Sequence, residues 1–441
     1  MRKLSLLFVA VPMLAQDARG PVSLSLKRAV EIATSPEGSA KVQLAAESLK
    51  QARARSAEAR AAFLPDLESS FTDESRTTNL AALGLGSFKL AIPGFQFPTL
   101  VGPFDTLDAR ATVTQNIFDF SSIRRYQESR AGVSAAKSDA DNSGEQVAAQ
   151  VARAYLASIK GDADVETAKS NVTLSEAVLT QAENQKKAGT GTGIEVTRAK
   201  VQLSNDRQHL LVSENDRHRA YLQLLRAMGA QLDTEVMLTD KLGYEPVDAM
   251  TLEEAKRQAL KERPDYRAQQ EREATARLEA SATKMERLPS LAAFGDYGSI
   301  GTGLSNTLPT RTYGISLRVP LFDGGRKDAR RAETVSQYRA EKVKTNDLKE
   351  QIELDVRLAL DALHSADDEV KVAKEGLELS ENELAQARRR YAAGVANSLE
   401  VTDAQTRLER ARDNQTAALY NYNAARIDLT EALGTIRKTI Q

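Results

Sequence analysis

No cysteine occurs among the 441 residues. That absence excludes disulfides, thiolate catalysis, thiolate-bound metals and a lipid anchor carried on an N-terminal cysteine. Tryptophan is missing too, and aromatic residues make up only 5% of the chain, too few for a thick aromatic core. The histidines, His209, His218 and His364, hold no H-x-x-x-H pair; without cysteine to join them, no metal site is expected. Neither sign of charge is in excess: 27% of residues are charged, yet the formal net charge is −1, so no basic face for nucleic acid is expected. Beyond the N-terminus there is no apolar run of about 18 residues, so no helix is expected to cross a membrane. A G-x-S-x-G elbow is absent. "GTGTG" (189–193) has no preceding strand and no following Lys-Ser/Thr, as a phosphate loop requires. No enzyme and no cofactor are expected.

What the chain has instead is alanine, mixed charge and repetition. It opens with "MRKLSLLFVAVPMLAQDARG", in which Arg2 and Lys3 precede an apolar run and the small residue Ala15. This is the layout of a secretory signal peptide, expected over 1–15, and it implies export.

The repeat has an offset of 205 residues: "AGTGTGIEVTRAKVQL" (188–203) returns as "AGVANSLEVTDAQTRL" (393–408), and "LLRAMG" (224–229) as "LTEALG" (429–434). "SLKRAVEIATSPE" (25–37) is echoed by "TLEEAKRQALKERPD" (251–265), and "FLPDLESSF" (63–71) by "RLPSLAAF" (287–294). "QNIFDFSSIRR" (115–125) is echoed by "VPLFDGGRKDAR" (319–330). Two copies of one unit therefore fill 23–229 and 251–436, with an equatorial linker at 230–250. Each copy reads helix, β-hairpin, long helix, return helix.

In the second copy small and apolar residues from Val356 through Leu363, Val370, Leu377 and Leu384 to Tyr391 step by three and four alternately. That mean period of 3.5 is a coiled-coil seam. The first copy repeats it from Val151 through Ser158, Val165, Val172 and Leu179 to Lys186. Helices over about 121–188 and 326–391 would each reach roughly 100 Å, which makes a rod, with return helices at 194–228 and 265–287. Both termini are expected near its midpoint.

The hairpins are expected over 64–118 and 288–322. "DARATVTQNIF" (108–118) and "TYGISLRVPLF" (312–322) alternate with period two for about ten residues, enough for a tilted strand to cross a bilayer. A soluble hairpin with one wet face gives the same pattern; the signal peptide and the rods favour the membrane. Four strands cannot close a barrel, and an open edge is not viable in lipid. Two chains would supply eight strands, three would supply twelve. The first hairpin carries an insertion within 76–104 rich in Pro93, Pro98, Pro103 and phenylalanine, read as an extended outer loop.

The signal peptide without an anchor cysteine, the duplication, "VPLFDGGR" and "YAAGVANSLEVTDAQTRL" together resemble the TolC-like outer-membrane efflux family over 23–436. The resemblance implies a mainly α fold with membrane β: a homotrimer with a shared twelve-stranded β-barrel and a long coiled-coil α-barrel in the periplasm. It implies a passive exit duct that docks onto a periplasmic adaptor and an inner-membrane pump. The hairpin tips that meet the adaptor would be Gly189, Thr190, Gly191 and Gly193 in the first copy, and Gly394, Val395 and Ala396 in the second. Glu400 and Asp403 fall where the founding member places two inward-facing acids at its periplasmic constriction, Glu195 at the equivalent acid of the first copy, and Tyr391 at a tyrosine that helps hold the closed state. The sequence departs from that pattern at Ala396, where an arginine is usual, and at Arg198, which stands where the second copy has Asp403. An Arg198–Asp403 pair is one substitute clasp; plain solvated charge at Glu400 and Asp403 is the bland alternative. Two rival functions stay open: a duct for secreted proteins, and a soluble exported coiled-coil scaffold without a pore.

Overall fold

The computed structural model describes residues 22–84, 98–247, 250–396 and 398–440; the expected leader at 1–15 lies outside them. The first copy is α1 (Leu26–Thr34), α2 (Ala40–Ala61), β2 (Asp66–Asn79), β3 (Leu100–Phe118), α3 (Phe120–Lys187) and α4 (Gly193–Met228). The second is α5 (Leu252–Glu262), α6 (Pro264–Met285), β5 (Ser290–Gly301), β6 (Leu308–Arg318), α7 (Arg326–Ala392) and α8 (Ser398–Ala432). Two short strands, β1 (Val22–Leu24) and β4 (Val236–Leu238), and α9 (Ile436–Ile440) complete the chain. The duplication is exact enough to show in element lengths: 68 and 67 residues for α3 and α7, 36 and 35 for α4 and α8, 22 each for α2 and α6. Among the described residues no helix is long and apolar enough to cross a membrane, and no group of side chains could hold a metal ion.

The chain divides into two units. One comprises Ser48–Ser138 and Arg267–Asp347. Its centre is an antiparallel sheet in the order β2-β3-β5-β6, and the register sorts the side chains. Leu67, Val113, Gly295 and Tyr313 lie in one row across the sheet, as do Ala293 and Ile315, and Leu291 and Leu317. The alternate positions hold Glu68, Thr112, Asp296 and Thr312 in one row. One face is apolar and one polar, as period two dictates. Leu67, Tyr313, Ile315 and Leu317 on the apolar face are exposed. On the polar face the Arg110 guanidinium donates to Asp108 Oδ2 at 2.9 Å and to Asp296 Oδ1 at 3.0 Å. Among the described residues the outer strands β2 and β6 each pair on one side only.

The reading of 76–104 as wholly loop needs correction. β2 runs to Asn79 and β3 begins at Leu100, before Pro103; residues 85–97 lie outside the described set. Proline is tolerated there because Arg76 pairs with Phe104 and Thr78 with Val101, leaving Gly102 and Pro103 in a register shift. At such a bulge the missing proline N–H costs no ladder bond.

The other unit comprises Asp139–Tyr266 and Leu348–Gln441 with the N-terminal segment through Glu47. Most of both heptad seams pack: Val151, Ser158, Val165, Ala168, Ser175 and Ala182 are buried, as are Val356, Ala359, Ala366, Val370, Leu384, Ala387 and Tyr391. The first seam does not reach Lys186, which is exposed where its equivalent Tyr391 is buried. Small residues let the backbones approach. A Cβ on Gly161 would stand 3.1 Å from Arg217 Cα.

The terminal elements share one core: Leu24, Ala29 and Val30 from the N-terminus and Ile436 from α9 pack with Val151, Tyr155, Leu224 and Met228. Here β1 pairs in parallel with β4, and Tyr155 is the pin. Its hydroxyl lies 2.8 Å from both the Leu24 carbonyl and Asp240 Oδ2, and that carboxylate also accepts from the Leu26 amide at 2.8 Å. Burial first, then Asp240, push the phenol above its usual range. The second copy has its own pin, Arg263, which donates to Asp265 and Asp355 at 2.7 and 3.0 Å. Gly434, at φ +70°, lets α8 end directly against it; a Cβ there would meet Arg263 Cα at 2.7 Å.

Candidate functional site: the helix-hairpin turns

Both long helices end in the same way. The Gly189 N–H donates to the Lys186 carbonyl at 3.1 Å and Thr190 N–H to Gln185 at 3.0 Å; Gly394 N–H donates to Tyr391 at 3.1 Å and Val395 N–H to Arg390 at 3.1 Å. This is the Schellman pattern, which needs a residue at positive φ. Gly189 and Gly394 supply it at +76° and +74°, and a Cβ on either would meet nothing within 4 Å. Glycine is there for the backbone and not for space. The turns leave Thr190, Gly193, Ile194, Val395 and Leu399 exposed, while Gly191 and Ala396 are half-buried; residue 397 lies outside the described set.

The sequence-derived gate residues separate into distinct environments. Tyr391 is buried among Leu384, Ala387, Val401, Ala404 and Leu408, with Leu174 and Val178 of α3 packed against that cluster. Its hydroxyl donates to Gln185 Oε1 and so ties the end of α7 to the end of α3. Burial and the nearby Glu195 raise the phenol pKa, opposed by the Gln185 bond. Glu195 also works locally: its Oε2 accepts from the Thr192 amide at 2.8 Å and from the Thr192 hydroxyl at 3.1 Å, capping α4. Glu400 is not a free acid. Arg390 Nε stands 3.1 Å from Glu400 Oε1 across the second turn. With both partners well exposed the pair is worth about 0–1 kcal/mol, but it sets local charge.

Asp403 and Arg198 are both exposed, and among the described residues neither makes an ion pair or hydrogen bond. The substitute clasp between them therefore does not form within one chain. Their helix positions leave both charges on the surface.

Two participants escaped the sequence reading, Gln185 and Arg390. They are repeat equivalents, 205 residues apart. For Arg390 the signal was the "RRRY" run at 388–391, cations gathered at a helix C-terminus, where the dipole favours them.

Higher on the same helices a buried polar seam joins the two hairpins. Arg412 Nη1 donates to Asn171 at 3.3 Å, and Asp206 accepts from Ser175 Oγ and, at 3.0 Å, from Gln202 Nε2. Glu409 faces Asp206; burial, then Asp206 and Asp413, push its carboxyl up to about 7, with Arg412 opposing. Asp413 is raised by burial and Asp164, against His209 and Lys160. A raised carboxyl penalises the folded state once ionised, so this contribution is harmless below the ordinary glutamate value and is fully unfavourable above about 7. Glu409→Gln is expected to flatten the stability loss between pH 4.5 and 7 by on the order of 1–2 kcal/mol, allowing for solvent screening. Thermal unfolding of both proteins at pH 4.5 and 8 checks this; parallel pH profiles would refute it.

The sequence model of the family described as outer membrane efflux protein matches residues 35–230 and 256–435. The pyoverdine export outer membrane protein OpmQ of Pseudomonas putida is 25% identical over 93% of this chain and 86% of its own length. The alkaline protease secretion protein AprF of Pseudomonas aeruginosa is 21% identical over 73% of this chain and 68% of its own. Among solved structures, the CmeC outer membrane channel of Campylobacter jejuni superposes with a TM-score of 0.79 over 93% of this chain and 85% of that one, at 15% identity.

Proposed function

Because the chain belongs to the outer membrane efflux protein family, we propose that it is the exit duct of a tripartite efflux or secretion system, passively conducting substrates from the periplasm to the exterior. The observation that carries the reading is the sheet. Its apolar face is exposed, and among the described residues β2 and β6 each have one edge unpaired. In lipid such edges must close. Three chains joined β6 to β2 make a barrel of twelve strands, whose polar face lines the lumen. A soluble scaffold leaves that apolar face unaccounted for.

The turns at 188–192 and 393–396 form the periplasmic end. Gly189, Thr190, Gly191, Gly193, Gly394, Val395 and Ala396 meet a periplasmic adaptor, which couples the duct to an inner-membrane pump. The small or apolar exposed tips, Ile194 and Val395 among them, suit a helix-hairpin partner. Tyr391, held by Gln185, keeps the two hairpins together, while Glu400, Asp403 and Glu195 set the charge at the constriction. OpmQ exports pyoverdine and AprF serves protease secretion. The match to OpmQ covers more of the chain, which favours small molecules; the match to AprF keeps a secreted protein as the second reading.

Imaging of the detergent-purified particle tests the assembly. Threefold symmetry, with conducting pores after insertion into planar bilayers, is the expected result. A monodisperse monomer, or recovery from the periplasm without detergent, would sink the reading.

A further inference from the structure

The duct reading leaves "VPLFDGGRKDAR" (319–330) without a role. In the structure it is the descent from β6 into α7. All four strands meet their helices at this end of the sheet, α2 before β2, β3 before α3, α6 before β5 and β6 before α7. The apolar row of β6 runs down through Tyr313, Ile315 and Leu317 and is continued by Val319 and Leu321; Leu321 and Phe322 are 92% and 91% exposed.

Cations follow at once. Arg326, Lys327, Arg330 and Arg331 occupy the first turns of α7, with Lys284 and Arg287 at the end of α6. A cavity of about 250 Å³ is lined by both kinds of side chain, Pro320, Leu321 and Phe322 together with Arg287, Asp323, Lys327 and Asp328. The acids are engaged locally. Arg287 donates to Asp328, and Asp323 accepts from the Lys327 backbone amide at 3.2 Å. The Lys327 ammonium and the Arg326 guanidinium make no hydrogen bond or ion pair among the described residues.

A soluble anion would answer the cations but leave Leu321 and Phe322 in water. Hydrocarbon alone would answer the apolar side chains but not Lys327. A ligand with a phosphate next to acyl chains answers both, and this level of the sheet is where the bilayer hydrocarbon ends and headgroups begin. We propose that the β6–α7 descent is a binding cleft for an anionic glycerophospholipid of the periplasmic leaflet, with Lys327 in the cleft facing the phosphate, Arg326 beside it in sequence adding positive charge, and Leu321 and Phe322 meeting the first acyl carbons. The proposal rests on the sheet crossing the outer membrane.

Native mass spectrometry of the detergent-purified protein tests it, with phosphatidylglycerol, phosphatidylcholine of the same chains, and inorganic phosphate as probes. Phosphatidylglycerol should be retained in preference to phosphatidylcholine, and inorganic phosphate at millimolar concentration should not displace it. Arg326→Gln and Lys327→Gln should each weaken phosphatidylglycerol about five-fold, Lys327→Arg should restore it, and Phe322→Ser should weaken both lipids. Equal retention of the two lipids, or unchanged binding in the Arg326→Gln/Lys327→Gln double variant, would overturn the proposal. Displacement by phosphate would also overturn it, by showing a free-anion site. Conductance in planar bilayers separates the failures: a double variant that still forms pores with unchanged lipid binding refutes the cleft alone, whereas a wild type that forms none removes the membrane barrel itself.

Discussion

Replacing Tyr155 by alanine is expected to cost about 3–5 kcal/mol, the range for emptying a well-packed aromatic site. The ring is 1% exposed and touches the core that gathers α1, α9, α3 and the end of α4. Its hydroxyl also reaches two segments, Leu24 on one side and Asp240 on the other, and so reinforces the short β1–β4 pairing and the Leu26 N–H bond to Asp240. Tyr155→Phe keeps the ring and loses the hydroxyl; the Leu24 carbonyl still accepts from the Thr239 amide at 3.1 Å, so the loss is only that of one hydrogen bond, about 1 kcal/mol. Thermal unfolding should rank wild type above Tyr155→Phe above Tyr155→Ala, and limited proteolysis should cut the alanine variant first near residues 22–26 and 239–247. Equal losses for the two variants would place the energy in the hydroxyl and not in packing. No loss for either would mean that this core does not hold the terminal segments.

The second large effect is expected in conductance. Asp403 is the acid without an ion-pair partner among the described residues, whereas Glu400 has Arg390 beside it at 3.1 Å. In a threefold duct with its constriction at the turns the Asp403 carboxylates would form a ring, and rings of like charge attract counter-ions. Asp403→Ala is therefore expected to reduce cation preference more than Glu400→Ala, and the double variant to abolish block by a divalent or hexamine cation added on the periplasmic side. Arg390→Ala should act in the opposite direction, removing the cation beside Glu400 and strengthening the block. Single-channel records in planar bilayers give all four comparisons. If the double variant keeps wild-type preference and block, these acids are solvated surface charge and the constriction lies elsewhere.

The hairpin turns separate what is local in the sequence from what is not. Gly189 and Gly394 were legible because a helix that must reverse needs positive φ, and that demand is local. Glu195 and Glu400 were legible as a repeated pair, but not that Thr192 occupies one and Arg390 the other. An exposed acid three or four residues from a turn has several cations within reach, and spacing alone does not choose among them. The clasp considered between Arg198 and Asp403 failed within one chain for that reason: complementary charge in equivalent repeats does not bring two side chains face to face.

The duplication, the helices of 68 and 67 residues, the seam from Val356 to Tyr391 and the alternation in β6 were all determined by the sequence alone. Each is a period or a φ requirement set within a few residues, and an offset of 205 repeats it. The tertiary structure decided what meets across the helices. Asp206 beside Glu409, Tyr155 between Leu24 and Asp240, and Arg153 at 2.6 Å from Asp428 join residues from different copies or from distant segments of one copy. Their meeting depends on the rotational phase at which two coiled coils pack, and a change of one residue in seven shifts that phase without altering the heptad that announces it. The sheet follows the same division: alternation sorted its two faces, but only pairing with Arg76 and Thr78 revealed where Gly102 and Pro103 could sit inside a strand, because a proline is acceptable or not according to whether its neighbour asks it for a hydrogen bond.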